Sequence, residues 1–341
     1  MKNLSFLNKI IYFINNLLAL LFLLSFIIPY ISPKSFPLLS ILSLAVPLLI
    51  FLHVLFIVYW FLIGLKKQLI LSTLCILLAI IFSYFPYKFN GKSVISGSSF
   101  SVMNFNVRLF NRYKWIEDEN ISSKISEFIQ KNNPDILTFQ EYYQSTDITF
   151  RYPYKYIEFK GKNNDVGQAI YSKYRIIDKG SLDFKESGNN AIFIDIIKNN
   201  DTIRVYNLHL ESFGIKPKNV DLTDLNEKES KKLLQRLTTS FTKQQSQVEQ
   251  FIQHKENCNY KIIICGDFNN TSYSWAYHHV KRDLKDTFLE AGKGFGKTYS
   301  FNKYPLRIDF ILVDEKFKVN QHQNFDIKLS DHEPILAKLS F

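Results

Sequence analysis

Residues 262–269 read Ile262-Ile-Ile-Cys-Gly-Asp-Phe-Asn269: an apolar run suited to a buried strand, a glycine, then a carboxylate and an amide two positions apart. Alone, Gly266-Asp-Phe-Asn269 is also good turn chemistry, because Asp and Asn side chains bond their own backbone two residues on. The same grammar recurs along the chain. Asn106 ends the alternating segment Phe100–Val107, Glu141 follows Ile136-Leu-Thr-Phe-Gln140, and His209 sits in Tyr206-Asn-Leu-His-Leu210. Asp309 lies inside Arg307-Ile-Asp-Phe-Ile311, and Ser330-Asp-His332 opens the last strand candidate, Ile335–Leu339.

Each piece has a plainer reading. Glu141 fits a solvated strand end and His332 a surface turn. Asp309 resists such a reading, because a carboxylate among Ile and Phe needs a partner and costs several kcal/mol without one. A histidine would satisfy it. Together, carboxylates, amides and two histidines at strand ends supply what a hard cation and a phosphate require: oxygen ligands, proton exchange, and donors for developing oxyanions.

Further strand candidates are Gln168–Ser172, Ala191–Ile197, Ile203–Leu210, Lys261–Cys265 and Arg307–Val313, and a helix fits Ile121, Ile125, Phe128 and Ile129, stopped by Asn132, Asn133 and Pro134. Residues 214–257 form one long polar interruption with helical stretches around Leu233–Leu237 and Val248–Ile252. Helices mix with hairpin-like strand pairs instead of alternating strictly with strands. That predicts an α/β (α+β) domain of two packed sheets with outer helices.

The chain has 341 residues, 42 basic and 31 acidic, for a net charge of +11. Residues 1–90 hold six of the lysines (Lys2, Lys9, Lys34, Lys66, Lys67, Lys88) and no acid, so residues 91–341 carry 36 basic against 31 acidic groups, only +5. A mean hydropathy of −0.07 conceals that split. It weakens the nucleic-acid-binding reading that the basic total invites. Uncharged runs of 24, 31 and 20 residues separate Lys9, Lys34, Lys66/Lys67 and Lys88. A hydrocarbon core ~30 Å thick takes about 20 helical residues, so three transmembrane helices are expected in 1–90. The first run is too long for a cleavable signal peptide. An odd number of crossings puts the chain ends on opposite sides, and four lysines against three weakly favour a cytoplasmic N-terminus and a non-cytoplasmic C-terminal domain. A Gly/Ser-rich linker, 91–98, would join the membrane region to a domain at 99–341. Cys75, Cys258 and Cys265 show no disulfide or metal spacing, and Cys265 reads as a small core residue.

Over residues 99–341 the motifs Asn104-Phe-Asn106, Pro134-Asp-Ile-Leu-Thr-Phe-Gln-Glu141, Gly167-Gln-Ala-Ile-Tyr-Ser-Lys173, Asn207-Leu-His209, Gly266-Asp-Phe-Asn269, Arg307-Ile-Asp309 and Ser330-Asp-His332 stand in order. In this the chain resembles the endonuclease/exonuclease/phosphatase superfamily, which includes deoxyribonucleases, abasic-site endonucleases, neutral sphingomyelinases and inositol polyphosphate 5-phosphatases. The resemblance implies a four-layered sandwich and a divalent metal, Mg²⁺ or else Mn²⁺, beside the scissile phosphate. By motif position Glu141, Asn106 and Asp331 would hold the metal. Asp267 would orient or deprotonate the attacking water, Asn269 would contact the phosphate, and Asp309 would pair with His332. His209 matches a histidine of the deoxyribonuclease and sphingomyelinase branches. Arg108 and Arg307 could add phosphate contacts, with solvated strand-end charges as the alternative.

The expectation is therefore a membrane-anchored, metal-dependent phosphodiesterase working at the lipid bilayer on a nucleic acid or a phospholipid headgroup, with a nuclease slightly ahead. A sphingomyelinase-like or inositol-phosphate-type phosphoesterase is the alternative. A retired fold serving as an anchored binding module is the competing class, and no protein partner is evident.

Overall fold

A computed structural model describes residues 4–94, 99–144, 148–160, 165–215, 226–301 and 304–341. Its N-terminal part contains α1 (Phe6–Ser25), the single turn α2 (Pro37–Ser40), α3 (Leu42–Leu62) and α4 (Lys66–Ile81). The remainder runs β1 (Phe100–Asn106), α5 (Ile121–Asn132), β2 (Ile136–Tyr143), β3 (Tyr154–Phe159), β4 (Val166–Ser172), β5 (Ile176–Ser181), β6 (Ala191–Lys198) and β7 (Asp201–His209). It continues through α6 (Glu227–Glu256), β8 (Lys261–Asp267), α7 (Trp275–Lys281), β9 (Lys285–Asp286), α8 (Thr287–Ala291), β10 (Tyr299–Phe301), β11 (Tyr304–Leu306), β12 (Asp309–Val313), β13 (Lys318–Asn324) and β14 (Ile335–Ser340).

Two six-stranded sheets, ordered β13-β14-β1-β2-β4-β3 and β5-β6-β7-β8-β12-β9, face one another. Strand alternation sends every second side chain into the space between them. Val102, Ile136, Ile194, Val205, Ile263, Ile311 and Ala337 meet there in one apolar core. The opposite faces are covered by α5 on the first sheet and by α6 and α7 on the second. This is the expected four-layered α/β sandwich.

Along each central strand the inward face changes from apolar to polar in the same direction. In β1 it runs Phe100, Val102, Asn104, Asn106, and in β7 it runs Ile203, Val205, Asn207, His209. In β8 it runs Ile263, Cys265, Asp267. Register then stacks the polar ends: His209 pairs with Asp267 and Asp267 with Asp309. Gly266 permits this pairing, because a Cβ there would lie 1.9 Å from the Leu208 carbonyl oxygen.

The N-terminal helices form a bundle with an apolar outer surface and polar groups set within a core that includes Phe22, Leu49, Ile50 and Trp60. Its interior holds Asn15, His53 and Ser72 together with Ala19, Cys75 and Ala79, while Phe6, Phe13, Leu20, Phe51, Leu55 and Ile81 are exposed. Asn15 bonds Ser72 (2.8 Å) and Trp60 (3.1 Å), and Ser72 meets His53 (3.1 Å). Among the described residues two helices, within Phe6–Tyr30 and Pro37–Leu62, are long and apolar enough to cross a membrane, not the three expected. The third run yields the 16-residue α4, which opens on Lys66 and Lys67 and spans about 24 Å at 1.5 Å per residue. Even so, α4 returns along α3. Tyr59 bonds Asn8 at one end of the bundle, while Phe26 stacks on Tyr84 at the other, so the start of α1 and the sandwich lie at opposite ends.

The residues expected as a linker are held to the sandwich as far as they are described: Lys92 N–H bonds the Ala291 carbonyl and Val94 N–H bonds that of Asn320. Residues 95–98 lie outside the described set. The polar interruption proves to contain one continuous 30-residue helix, α6, with a capping box between Asn226 and Glu229. The three cysteines are free.

Candidate active site

Beneath the polar ends lies a layer of buried amides. Asn104 Oδ1 accepts from Thr138 (2.9 Å) and Gln140 (2.8 Å), while Asn207 Oδ1 accepts from Gln140 (2.6 Å) and Gln168 (3.0 Å). Asn207 Nδ2 closes the layer on the carbonyls of Phe139 and Ala169. The motifs contain Asn104, Gln140, Gln168 and Asn207, but the sequence alone assigns them no role. Asn104 and Asn207 carry a signal, a polar residue two positions before Asn106 and His209 on the same strand face, whereas Gln140 and Gln168 carry none.

Above that layer, Asp267 is the hub. Its Oδ2 accepts from Asn106 Nδ2 at 3.0 Å and lies 3.7 Å from the Nε2 atoms of both His209 and His332. Its Oδ1 accepts from Asn269 N–H at 2.7 Å. Asp309 accepts from His332 Nδ1 at 2.9 Å, its backbone N–H donates to Thr298, and Asn104 Nδ2 approaches it at 3.5 Å. Glu141 reaches the same centre through Asn106, whose Nδ2 is 3.3 Å from its carboxylate. Two irregularities aim these groups. The register between β2 and β4 shifts at Phe139/Tyr142, and Glu141 in that bulge adopts φ +48°. Arg108–Asn111 make a left-handed turn of four positive-φ residues, which Arg108 N–H begins by bonding Asn106 Oδ1.

Charge is distributed unevenly. Burial raises the Glu141 carboxyl above its usual range, and Asp331 adds to the effect. Burial and Asp309 bring the Asp267 carboxyl up to about 6, against the pull of His332 and His209. Burial alone would lower His332, but Asp309 and Asp267 hold it well above the ordinary histidine value. His209 is lowered by burial. Two histidines on one carboxylate therefore differ in protonation, one cationic and one neutral.

Asn106, Glu141, His209, Asp267, Asn269, Asp309 and His332 are thus brought together. Asp331 joins from the edge, bonded by Ser330 and facing Arg108 at 3.2 Å, and the Arg108 guanidinium lies over the Trp115 ring. Asn269 Nδ2 is directed at the Leu210 carbonyl (2.9 Å). Arg307 does not join the cluster. Its side chain, 11% exposed, bonds Asp286 at 2.6 Å and packs on Phe288 and Phe310, because residue 307 precedes the strand and turns to the outer face. Tyr299, given no role from the sequence, pairs with His332 through the backbone, with ring centres 5.0 Å apart.

The donor atoms of Asp267, Asp309 and His332 lie within 4.8 Å of one another, a metal-like grouping. His332 is a poor ligand there, since Asp309 occupies its Nδ1 and keeps the ring charged. Glu141, Asp331 and Asn106 offer oxygen donors, a set that suits a hard divalent ion.

The Endonuclease/Exonuclease/phosphatase family model matches residues 103–332, and residues 8–85 match a domain of unknown function (DUF8431). No curated protein matches. Among solved structures, humanized D. rerio TDP2 is similar at 14% identity, 72% of this chain, 100% of that chain and TM-score 0.55. The human Nocturnin catalytic domain with bound sulfate anion is similar at 17%, 72%, 95% and 0.55. A Bacteroides thetaiotaomicron endonuclease/exonuclease/phosphatase family protein is similar at 18%, 72%, 99% and 0.53. These identities speak for the fold, and the family match spans more than half of the sequence. The chain belongs to the Endonuclease/Exonuclease/phosphatase family.

Proposed function

We propose that residues 99–341 form a divalent-metal-dependent phosphoester hydrolase held at a membrane surface by residues 1–90. The observation that carries the hydrolase reading is the convergence of His209, His332 and Asn106 on Asp267, with Asp309 behind His332. Glu141, Asp331 and Asn106 would hold Mg²⁺, or Mn²⁺ in its place. The bound ion would neutralise phosphate charge and polarise the bond under attack.

The chain's own groups divide the remaining work. Asp267 takes a proton from the attacking water, and a carboxyl raised to about 6 is a better base than an ordinary one. Cationic His332 faces the phosphate oxygens, and Asp309 fixes its tautomer. Neutral His209 stands on the other side of Asp267, where it can meet the leaving group. Asn269 serves the phosphate once its amide leaves the Leu210 carbonyl, and Arg108 serves it from beside Asp331.

The apolar outer surface of the N-terminal bundle supports the membrane reading. Large apolar side chains cover the outside, while Asn15, His53 and Ser72 are buried among Phe22, Ile50 and Trp60, and such an apolar outer surface suits lipid as the surroundings. Among substrates, a lipid phosphoester gains on nucleic acid. The sandwich rests directly on the bundle, where Thr271 bonds the Ser43 carbonyl. In the test, the full chain is assayed on bis-p-nitrophenyl phosphate, plasmid DNA, sphingomyelin and inositol phosphates with Mg²⁺ or Mn²⁺. Hydrolysis that stops with chelator and falls at least ~100-fold in His332→Ala is expected. Activity indifferent to chelator removes the metal role, and activity on DNA alone removes the lipid preference.

A further inference from the structure

The helix α6 sends amides where a helix covering a sheet usually sends apolar side chains. Gln244 and Gln247, 1% and 5% exposed, reach the two segments that follow β7 and β8. Burying an amide is costly unless its donors and its acceptor are used. Those of Gln244 are divided between the two segments. Its Nε2 donates to the Glu211 carbonyl at 2.8 Å, with the Phe268 carbonyl at 3.4 Å, and its Oε1 accepts from Asn270 Nδ2 at 2.7 Å. Gln247 Oε1 accepts from Glu211 N–H at 2.8 Å, so both main-chain groups of Glu211 end on α6.

Each segment carries one of the converging side chains: His209 stands two residues before Glu211, and Asn269 one residue before Asn270. Their main chain is held throughout. His209 N–H bonds the Asn190 carbonyl at 2.8 Å, Leu210 N–H bonds that of Asp267 at 3.1 Å, and Asn269 N–H bonds Asp267 Oδ1 at 2.7 Å. The Asn269 side chain is differently placed. The Leu210 carbonyl accepts its Nδ2 at 2.9 Å and also Asn189 Nδ2 at 2.6 Å. When the Asn269 amide turns to a phosphate, Asn189 keeps that carbonyl satisfied, so the turn leaves no acceptor unpaired. The arrangement joins a fixed backbone to a releasable side chain.

We propose that Gln244 is a positioning residue of the hydrolytic site: it ties the His209 segment to the Asn269 segment and so sets the group that meets the leaving oxygen against the group that meets the phosphate. Gln244 itself touches no reacting atom. The role rests on the hydrolase reading of the cluster. Both groups act as charge develops in the transition state, so looser placement lowers kcat more than it raises KM. The loss is greatest where the departing oxygen most needs a proton.

The full chain and its variants are assayed with Mg²⁺ on bis-p-nitrophenyl phosphate and on diphenyl phosphate, whose phenol is the poorer leaving group. Gln244→Met keeps the length of the side chain without its amide. It should lower kcat about tenfold on the first diester and about a hundredfold on the second, with KM within about twofold. Asn270→Ala removes the anchor of the Gln244 amide without altering α6, and should show the same inequality even if Gln244→Met does not fold. In a His209→Ala background the extra loss on diphenyl phosphate should vanish, because the proton donor being placed is gone. Equal losses on the two diesters are what a merely structural role gives. Such equality, unchanged kcat in both variants, or an inequality that persists in His209→Ala overturns the proposal. A wild-type chain without chelator-sensitive hydrolysis of either diester removes the hydrolase reading and this role with it.

Discussion

Gly266 shows how one residue can control the site. Its Cβ position is 1.9 Å from the Leu208 carbonyl, and both atoms belong to backbone that cannot swing away. Gly266→Ala should therefore cost about 3 kcal/mol or prevent folding, read as a lowered melting temperature, whereas Cys265→Ala, one residue earlier in the core, should cost less. His322 makes a second prediction. Burial and the Arg307 cation lower its folded value to about 4, and its Nδ1 lies 2.9 Å from Thr287 Oγ1. The unfolded chain takes up that proton near 6.5, so stability falls as pH drops from 6.5 towards 4, by up to ~3 kcal/mol from this group. His322→Gln should flatten that acid limb in pH-dependent denaturant titrations, and an unchanged limb would refute the assignment. Neither property was legible in the sequence, because each depends on what a neighbouring strand or helix presses against the residue.

Between elements, the link from bundle to site runs through a proline. Pro47 in α3 has no N–H for the Ser43 carbonyl one turn back. Thr271 Oγ1 donates to that carbonyl at 3.0 Å, and Tyr273 OH donates to the Tyr84 carbonyl at 2.8 Å. The segment following Asp267 and Asn269 is thus fastened to the helices. Thr271→Val should cost ~1–2 kcal/mol in the native background and much less in Pro47→Ala, where the helix regains its own donor. A double-mutant cycle on thermal stability measures the difference, and strict additivity would sink the idea. The α6 helix shows the converse limit of sequence reading. Its buried face includes Gln244, Gln245 and Gln247, which bond the Glu211 and Phe268 backbone and the loop at Lys34. Apolar periodicity is diluted where packing is done by amides, so one helix reads as two fragments inside a loop.

At the scale of the whole molecule, α1 and α3 run their full length while α4 is short but returns to the sandwich, which places the start of α1 and the sandwich at opposite ends of the bundle. A reporter that works only outside the cytoplasm should be active when fused after Phe341 and silent when fused ahead of α1. Equal behaviour of the two fusions would show that the helices do not separate the ends. The two-span count by itself would predict such equality, so the fusions test the bundle geometry directly.

The order of strand-end polar residues, the apolar N-terminal third and the two-sheet architecture were all determined by the sequence alone. They rest on local composition and alternation, which neighbours along the chain suffice to express. Only the tertiary structure decided that Asn104, Gln140, Gln168 and Asn207 floor the site, that Arg307 turns to Asp286 instead of the cluster, and that α3 grips the Asn269 segment. The physical reason is range: these bonds join residues dozens to hundreds of positions apart, and a buried polar group's partner is settled by which surfaces the folded layers bring within about 3 Å.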